Sequence, residues 1–582
     1  MSAVLTAQEP SAKYLANLHP PLVRHFDLIA QAPGGVARLR ELILTLAVQG
    51  KLVPQDPSDE PASELLKKIR AEKDRLIAEG KIRRDKPLAE IADEETPFEL
   101  PEGWVWTSLS AVGIINPRND AADETVASFV QMSSIPVQFS EAHVVESRPW
   151  SAIKSGFTHF AEGDVGVAKI TPCFENGKST VFRNLSNRIG AGTTELHIVR
   201  PLGGIDPRYV LLFLKTPTFL KEGEAVMTGS AGQKRLPRNY FENKPFSLPP
   251  LAEQSRIVTR VEELMQLCDA LEASGQLEAQ QHAQLVSTLL GTLTQSETPE
   301  ALADNWQRIA THFDLLLDRP EAVDALEQTI LQLAVRGLLV PQDPADEPAS
   351  VLLQKIRTQK DHLIAQGKIK RDKPLPPITD EEKPFELPQG WEWARLGELF
   401  EITSSKRIHA NDYVKEGVPF FRSKEIGELG RGVEISTEIC ISRSHFDSLK
   451  DMSGFPQIND LMLTSVGSIG NTWLVDEREF YYKDGNITKI RGYYGTSIQY
   501  LQEFIRSEFF TTQVTDTVSG TAYNALTIVK LNSIKFPLPP STEQLRIVTR
   551  INELRSLCAD LRQRLTAGHA VQSHLADALV TG

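Results

Sequence analysis

Few residues in this 582-residue chain stand at spacings that do covalent chemistry. Methyl transfer to an exocyclic base amine needs an acid or amide, two prolines and an aromatic in succession, beside a glycine-rich cofactor turn. Asn116-Pro117-Arg118 breaks that pattern, Pro249-Pro250 and Pro539-Pro540 lack both acid and aromatic, and neither G-x-G-x-x-G nor a GKS or GKT phosphate loop occurs. Glu242-Asn243-Lys244 pairs a carboxylate with a lysine as nucleases do, but the second half of the chain has no counterpart. The four cysteines, Cys173, Cys268, Cys440 and Cys558, include no pair at zinc-site spacing, so neither a disulfide framework nor a structural metal is expected, and without the motifs above no cofactor is expected either. What remains is a chemistry of contact. Two glycine and small-polar runs, GSAGQKRL at Gly229 to Leu236 and SGTAYNAL at Ser519 to Leu526, let backbone amides and short side chains approach a ligand closely, and a plain surface turn is the competing reading.

The elements that must carry these loops occur twice. LAVQGKLVPQDPSDEPASELLKKIR, from Leu46 to Arg70, returns as LAVRGLLVPQDPADEPASVLLQKIR from Leu333 to Arg357, and HFDL at His25 and PFELPEGWVW at Pro97 return in the same register. A second pair of anchors is LPPLAEQSRIVTRVEELMQLCDAL from Leu248 and LPPSTEQLRIVTRINELRSLCADL from Leu538. Between them lie two diverged inserts, Thr107 to Pro245 and Ala394 to Lys535. Five regions follow: a helical scaffold copy over 1–106, an insert over 107–245, a central helical region with the second scaffold copy over 246–393, an insert over 394–535, and a terminal helix over 536–582.

The anchors read as helices. Asp-Glu-Pro-Ala opens one at Glu60 and Gly80 closes it, and the second copy does the same from Glu347 to Gly367. In the other anchor Ile257, Val261, Leu264, Cys268 and Leu271 keep a 4-3-4-3 spacing that Ile547, Ile551, Leu554, Cys558 and Leu561 repeat, which is a coiled-coil seam. The simplest packing pairs the two helices with each other, antiparallel, as a pseudo-twofold rod. In the alternative packing each lies on its own insert.

The inserts carry short β-branched runs broken by glycine, asparagine and aspartate, followed by helices near Tyr209 to Leu214 and Tyr500 to Ile505, so mixed α/β domains are expected. Their charge decides where the overall −13 resides. The first insert holds 15 Lys and Arg against 13 Asp and Glu and the second 16 against 18, so the scaffold carries all of it. Such a scaffold repels phosphate, and nucleic-acid binding then needs local basic patches or partner subunits. No run of about 18 apolar residues and no basic, apolar leader is present, which predicts a cytoplasmic protein off the membrane.

A diverged block, then a glycine loop, then LPPLAEQSRIV or LPPSTEQLRIV entering a helix, all present twice, closely resembles the specificity subunit of Type I restriction-modification systems. GDVGVAKI with NDLMLTSVGSIGN, and FVQMSSI (Phe129 to Ile135) with FFRSKEI (Phe420 to Ile426), look like inner strands of that family's target recognition domains. The resemblance implies an α+β chain with two mixed α/β recognition domains separated by long helices packed as an antiparallel coiled coil. It implies a non-catalytic subunit that binds double-stranded DNA, reads a split asymmetric target, and docks two methyltransferase subunits and, through them, restriction/translocase subunits. The LVPQDP to GKI segment departs from the family pattern and is read as a further docking surface for the methyltransferase.

Base edges are read by polar and basic side chains. In the first insert these are expected to be Gln131, Ser133, Lys169, Thr171, Asn176, Lys178, Gln233, Lys234 and Arg235, and in the second Arg422, Lys424, Ser465, Ser468, Asn471, Tyr523 and Asn524. A paired helix of about 20 to 40 residues would hold the readers roughly 30 to 60 Å apart, one to two turns of DNA at about 34 Å each. Two other classes stay open at this point: a coiled-coil adaptor without nucleic acid, which the acidic scaffold favours, and a self-contained DNA methyltransferase or nuclease with fused recognition domains, which the missing motifs disfavour.

Overall fold

The computed structural model describes residues 28–82, 96–230, 232–296, 298–369, 371, 374–450, 452, 454–518 and 525–581. Contacts divide the chain into two units, one of residues up to 278 together with 568–582, the other of residues 279–567. The two are built alike. Each holds a repeat helix (Gly35–Val48; Pro320–Val335), a second helix after the LVPQDP motif (Ala62–Ala78; Ala349–Ala365), an insert, and parts of both long helices, Leu251–Thr294 and Ser541–Thr581.

The 4-3-4-3 stripes are buried, but in separate cores. In the first unit Ile257, Val261, Leu264 and Cys268 share a core with Leu39, Ile43 and Ala47 of the repeat helix, with Ala576 from the end of the other long helix, and with Tyr209, Phe246 and Leu248 of the insert; Leu271 packs half-buried on it. In the second unit Ile547, Ile551 and Cys558 meet Val323, Leu326 and Ile330 of the repeat helix, Val286, Leu290 and Leu293 from the later part of the first long helix, and Tyr500 and Phe536 of the insert; Leu554 and Leu561 pack half-buried. In each unit the first half of one long helix therefore lies with the last turns of the other, an antiparallel pairing in which Leu264 and Leu554 are not partners. The 3.5-residue rhythm calls for burial of one stripe without saying against what. The helices run 44 and 41 residues, longer than expected, and at about 1.5 Å per residue span roughly 66 and 62 Å. Burial pushes the Cys268 thiol up to about 11, as for an inert core sulfur.

One ion-pair position is reversed between the copies. Arg40 Nη2 lies 2.7 Å from both Asp269 and Glu272. At the matching positions the second copy has Glu327, which meets Arg555 at 3.0 Å and Arg562 at 3.1 Å.

Three residues after the last proline of LPP, each copy buries a carboxylate. Trp104 Nε1 donates to Glu253 at 3.0 Å and Gln55 Nε2 at 3.2 Å. Trp391 and Gln342 serve Glu543 at 2.9 and 2.8 Å. The Gln that follows turns the other way: Gln254 Oε1 accepts the Asp206 N–H and Gln544 Oε1 the Ser497 N–H, tying each insert to its long helix. The helix after LVPQDP begins with Pro61 or Pro348 at the cap itself, not in the first turn, and its Ala62 or Ala349 N–H is satisfied by the Gly103 or Gly390 carbonyl at 2.8 Å.

Each insert opens and closes through a two-stranded neck, Val105–Thr107 with Phe246–Leu248 and Glu392–Arg395 with Lys535–Leu538, and carries two four-stranded sheets. In the first insert one sheet is antiparallel, in the order 113–115, 196–201, 165–168, 179–181. The other runs 146–149, 126–130, 189–192, 158–161 with a parallel central pair. The second insert keeps the order of the first sheet as 400–403, 487–492, 461–464, 472–474, but its other sheet runs 413–414, 440–441, 418–421, 481–482, with the parallel pair at the edge and the fourth strand added on the opposite side. Diverged sequences thus keep one sheet whole and three strands of the other. The two expected helices are Pro207–Leu214 and Ile498–Arg506.

Candidate nucleic-acid interface

In the first insert the strand Val165–Ala168 runs out into a tight turn over residues 169–178, closed by Phe174 N–H to Ile170 O and Asn176 N–H to Pro172 O, both at 3.0 Å. The glycine run folds back on itself through reciprocal bonds between Thr228 and Arg235 of 3.1 and 2.8 Å. It needs its glycines: Gly229 has φ +134, and a Cβ there would lie 2.7 Å from the Gln233 carbonyl. The loop is stapled to the strand end. Leu236 N–H donates to Lys169 O at 2.7 Å, Thr171 N–H to Lys234 O at 3.0 Å, and buried Leu236 plugs the core beneath.

This brings Lys169, Thr171, Gln233, Lys234 and Arg235 together. Gln233 and Lys234 are exposed and Lys169 and Thr171 half-buried. Arg235 is exposed but engaged, with its guanidinium 2.9 Å from Glu195, a pairing that raises its pKa and lowers that of Glu195. Asn176 projects from the same turn. Lys178 is half-buried and spends its ammonium on the Met132 carbonyl at 2.9 Å, which draws the turn Met132–Ser134 alongside and places exposed Gln131 and Ser133 next to it. Gln131 donates to Glu146.

The second insert repeats the backbone device with other side chains. Leu526 N–H donates to Ser465 O at 2.9 Å, the bond that Leu236 makes to Lys169. Ser465 itself is buried, its hydroxyl 2.7 Å from that of Thr488, so the strand end it occupies turns inward. Ser468 is exposed on the adjoining turn. Asn471 is half-buried and donates to the Ser468 carbonyl at 3.3 Å. Arg422 and Lys424 lie at the start of the helix Ser423–Gly430, Arg422 as the residue after the strand Val418–Phe421, as Gln131 follows Val126–Val130. The Arg422 guanidinium folds onto Glu425 at 2.7 Å, which raises its pKa, whereas Lys424 is exposed. Tyr523 and Asn524 lie outside the described residues.

Residues beneath the surface were missed. His197 Nε2 lies 3.0 Å from the Leu236 carbonyl with its ring stacked 5.1 Å from Phe241; burial lowers its pKa and keeps it neutral under the loop. Asp164 and Arg200 form a bidentate pair at 2.8 and 2.9 Å, and Asp460 and Arg491 its counterpart at 2.7 Å twice. Desolvation raises the Asp164 pKa against the pull of Arg200. The signal for these pairs was the aspartate shared by GDV and NDL. Among the described residues no three His, Cys, Asp or Glu side chains are arranged to hold a metal ion, and no helix is long and apolar enough to cross a membrane.

Residues 388–567 match the family model described as the Type I restriction modification DNA specificity domain. The chain is 47% identical over 556 residues to the Type I restriction enzyme EcoAI specificity subunit of Escherichia coli, covering 94% of this chain and 93% of that one. It is 43% identical over 560 residues to the EcoEI specificity subunit of Escherichia coli, with the same coverage. A solved structure from work on complex assembly and conformational transition of the type I R-M system superposes with a TM-score of 0.51 over 83% of this chain and 98% of that one; at 19% identity this is a likeness of fold.

Proposed function

The chain belongs to the specificity subunits of Type I restriction enzymes, and on that premise we propose that its two inserts, over 107–245 and 394–535, each read one half of a split asymmetric DNA target. The observation that carries this reading is the repeated staple. In both inserts a loop is tied by one backbone bond to the end of an equivalent strand, Leu236 to Lys169 and Leu526 to Ser465, while the side chains around it differ. One backbone device presenting two different polar surfaces is what two independent readers require. In the first, Lys169, Asn176, Gln233 and Lys234 face the bases or phosphates, while Thr171, whose hydroxyl is buried, shapes the strand end through its backbone bond to Lys234. Gln131, Ser133, Lys178 and Arg235 flank them, and Arg235 exchanges its exposed pair with Glu195 for DNA at small cost. In the second, Arg422, Lys424, Ser468, Asn471, Tyr523 and Asn524 take these roles, and Ser465 shapes the strand end.

The scaffold carries no catalysis of its own. It seats two methyltransferase subunits, one on each copy, and the restriction/translocase subunits join through them in the cytoplasm; these supply the cationic surface that the acidic scaffold lacks. The test is an exchange. Replacing residues 394–535 with a copy of 107–245 and mapping the bases methylated by the assembled complex should give an inverted repeat of one half-site. A folded, assembled chimera that still methylates the original asymmetric target would refute the assignment.

A further inference from the structure

The segment around LVPQDP and the helix after it grip the molecule on two sides, in the same way in both copies. Toward the long helix, Gln55 and Gln342 hold the buried carboxylates of Glu253 and Glu543, while Asp59 pairs with Arg256 at 2.6 Å and Asp346 with Arg546 at 2.5 Å. Toward the insert, Lys73 Nζ donates to the Ser110 carbonyl at 2.6 Å and the Gly113 carbonyl at 3.3 Å, and Lys360 Nζ to the Gly397 carbonyl at 2.9 Å. One residue earlier, the Glu72 carboxylate accepts the Gly203 N–H at 3.1 Å and the Gln359 side-chain oxygen accepts the Tyr494 N–H at 2.7 Å. A glutamate and a glutamine make the same bond, so the bond is kept and not the residue type.

These contacts fall on one place in each insert. Gly113 opens the strand that pairs with Leu196–Pro201, whose chain leads on to Gly203; Phe400 pairs with Gly492, just before Tyr494. The helix also touches closely: a Cβ on Gly203 would sit 2.4 Å from Ile69, and one on Gly495 2.8 Å from Leu352. Each insert also meets the scaffold through its two-stranded neck, the Gln254 or Gln544 bond, an ion pair between an insert helix and the long helix (Arg208 with Glu262 at 3.1 Å, Glu503 with Arg555) and a shared apolar core, so the grip acts as a lateral brace that fixes the finer angle of a domain already seated.

We propose that the helices Ala62–Ala78 and Ala349–Ala365 are struts that set the angle of each reader against its own long helix, and that Lys73 and Lys360 are positioning residues for recognition of a target with one defined spacer. The inference rests on the two-reader function above. When one reader is bound, the effective concentration of the second at its half-site depends on how narrowly its orientation is held. A reader free to rock loses some of that advantage and also tolerates a wrong spacer.

The complex with the methyltransferase is used to map the target. The full-length chain in that complex is then titrated with duplexes carrying the native spacer, a spacer one base pair longer or shorter, or a single half-site. The variants are the double Lys73→Met with Lys360→Met, the double Glu72→Ala with Gln359→Ala, and Lys73→Arg with Lys360→Arg. The Met variant is expected to bind single half-sites within about twofold of wild type while its preference for the native spacer falls about tenfold, and the Arg variant to restore that preference. A Met variant with the wild-type spacer preference overturns the proposal. Should the Met variant also lose half-site binding, the Glu72 and Gln359 variant decides: unchanged half-site binding with weakened spacer preference supports the struts, and any other result overturns them. Failure of the wild type to prefer any split target would instead refute the two-reader function.

Discussion

Leu264 and Leu554 occupy matching positions on the two long helices, yet replacing each with aspartate should have unequal effects. Leu264 is 1% exposed among Leu39, Ile43, Tyr209 and Phe246, whereas Leu554 is half-buried at the margin of its core. Removing a fully buried leucine costs about 2 to 5 kcal/mol, and an unpaired carboxylate in its place adds several more. The sum, at least about 5 kcal/mol, is comparable with the whole stability of an ordinary domain. At Leu554 the aspartate turns to water and the loss is about 1 to 2 kcal/mol. Amide hydrogen exchange read by mass spectrometry separates the units. Leu264→Asp should abolish protection across residues 35–48, 105–130 and 246–278 and leave 396–405 and 530–558 protected, while Leu554→Asp should leave both sets protected. Loss of protection in both sets with Leu264→Asp, or an equal effect of Leu554→Asp, would refute the assignment of the stripes to separate cores.

Three further outcomes follow. Burial raises the pKa of the Glu253 and Glu543 carboxylates, so stability from their protonated forms is fully present below the usual carboxylate range and is lost as pH rises through the raised value; Glu253→Gln should therefore remove part of the pH dependence of the melting temperature just above the usual carboxylate range, and an unchanged dependence would refute it. Lys234→Ala should weaken one half-site only: by about 1 to 3 kcal/mol at a single base position if it reads a base, or evenly with a salt slope lower by about one if it touches phosphate, as fluorescence anisotropy across salt will tell. Asp164→Asn should cost about 1 to 3 kcal/mol by leaving the partly exposed Arg200 guanidinium only the Asn119 amide oxygen, lowering the melting transition while protection at 461–464 stays intact.

The features legible in the sequence were those set by local pattern. The stripes of Ile257 and Ile547 announced buried helix faces, and Gly80 and Gly367 announced helix ends, both at positive φ in the structure. The pairing of FVQMSSI with FFRSKEI likewise placed two strands that lead into helical turns. Periodicity carries no address, so the partners of Leu264 and Leu554 had to come from the fold. Ser465 looked like an exposed reader because a short polar residue ends its strand, but a hydroxyl partner on the next strand, Thr488, lets it turn inward. Arg422 and Arg235 looked free because their carboxylates, Glu425 and Glu195, are engaged only through the folded backbone. His197 gave no signal, since a histidine in a strand declares nothing about the loop that will settle on it.

The reversed ion pair bears on how such a gene can be inherited. Two nearly matching stretches in one reading frame invite unequal crossing-over, which would delete one copy and join the first repeat helix to the second long helix. In that product Arg40 would stand opposite Arg555 and Arg562, guanidinium against guanidinium, where the parent sets Arg40 against Glu272 and Glu327 against Arg562. An exchange of a whole insert between alleles leaves both members of each pair in place, because Arg40 and Glu272 lie outside it on either side. The scaffold thus penalises the recombinant that loses an insert and is indifferent to the one that exchanges an insert for another.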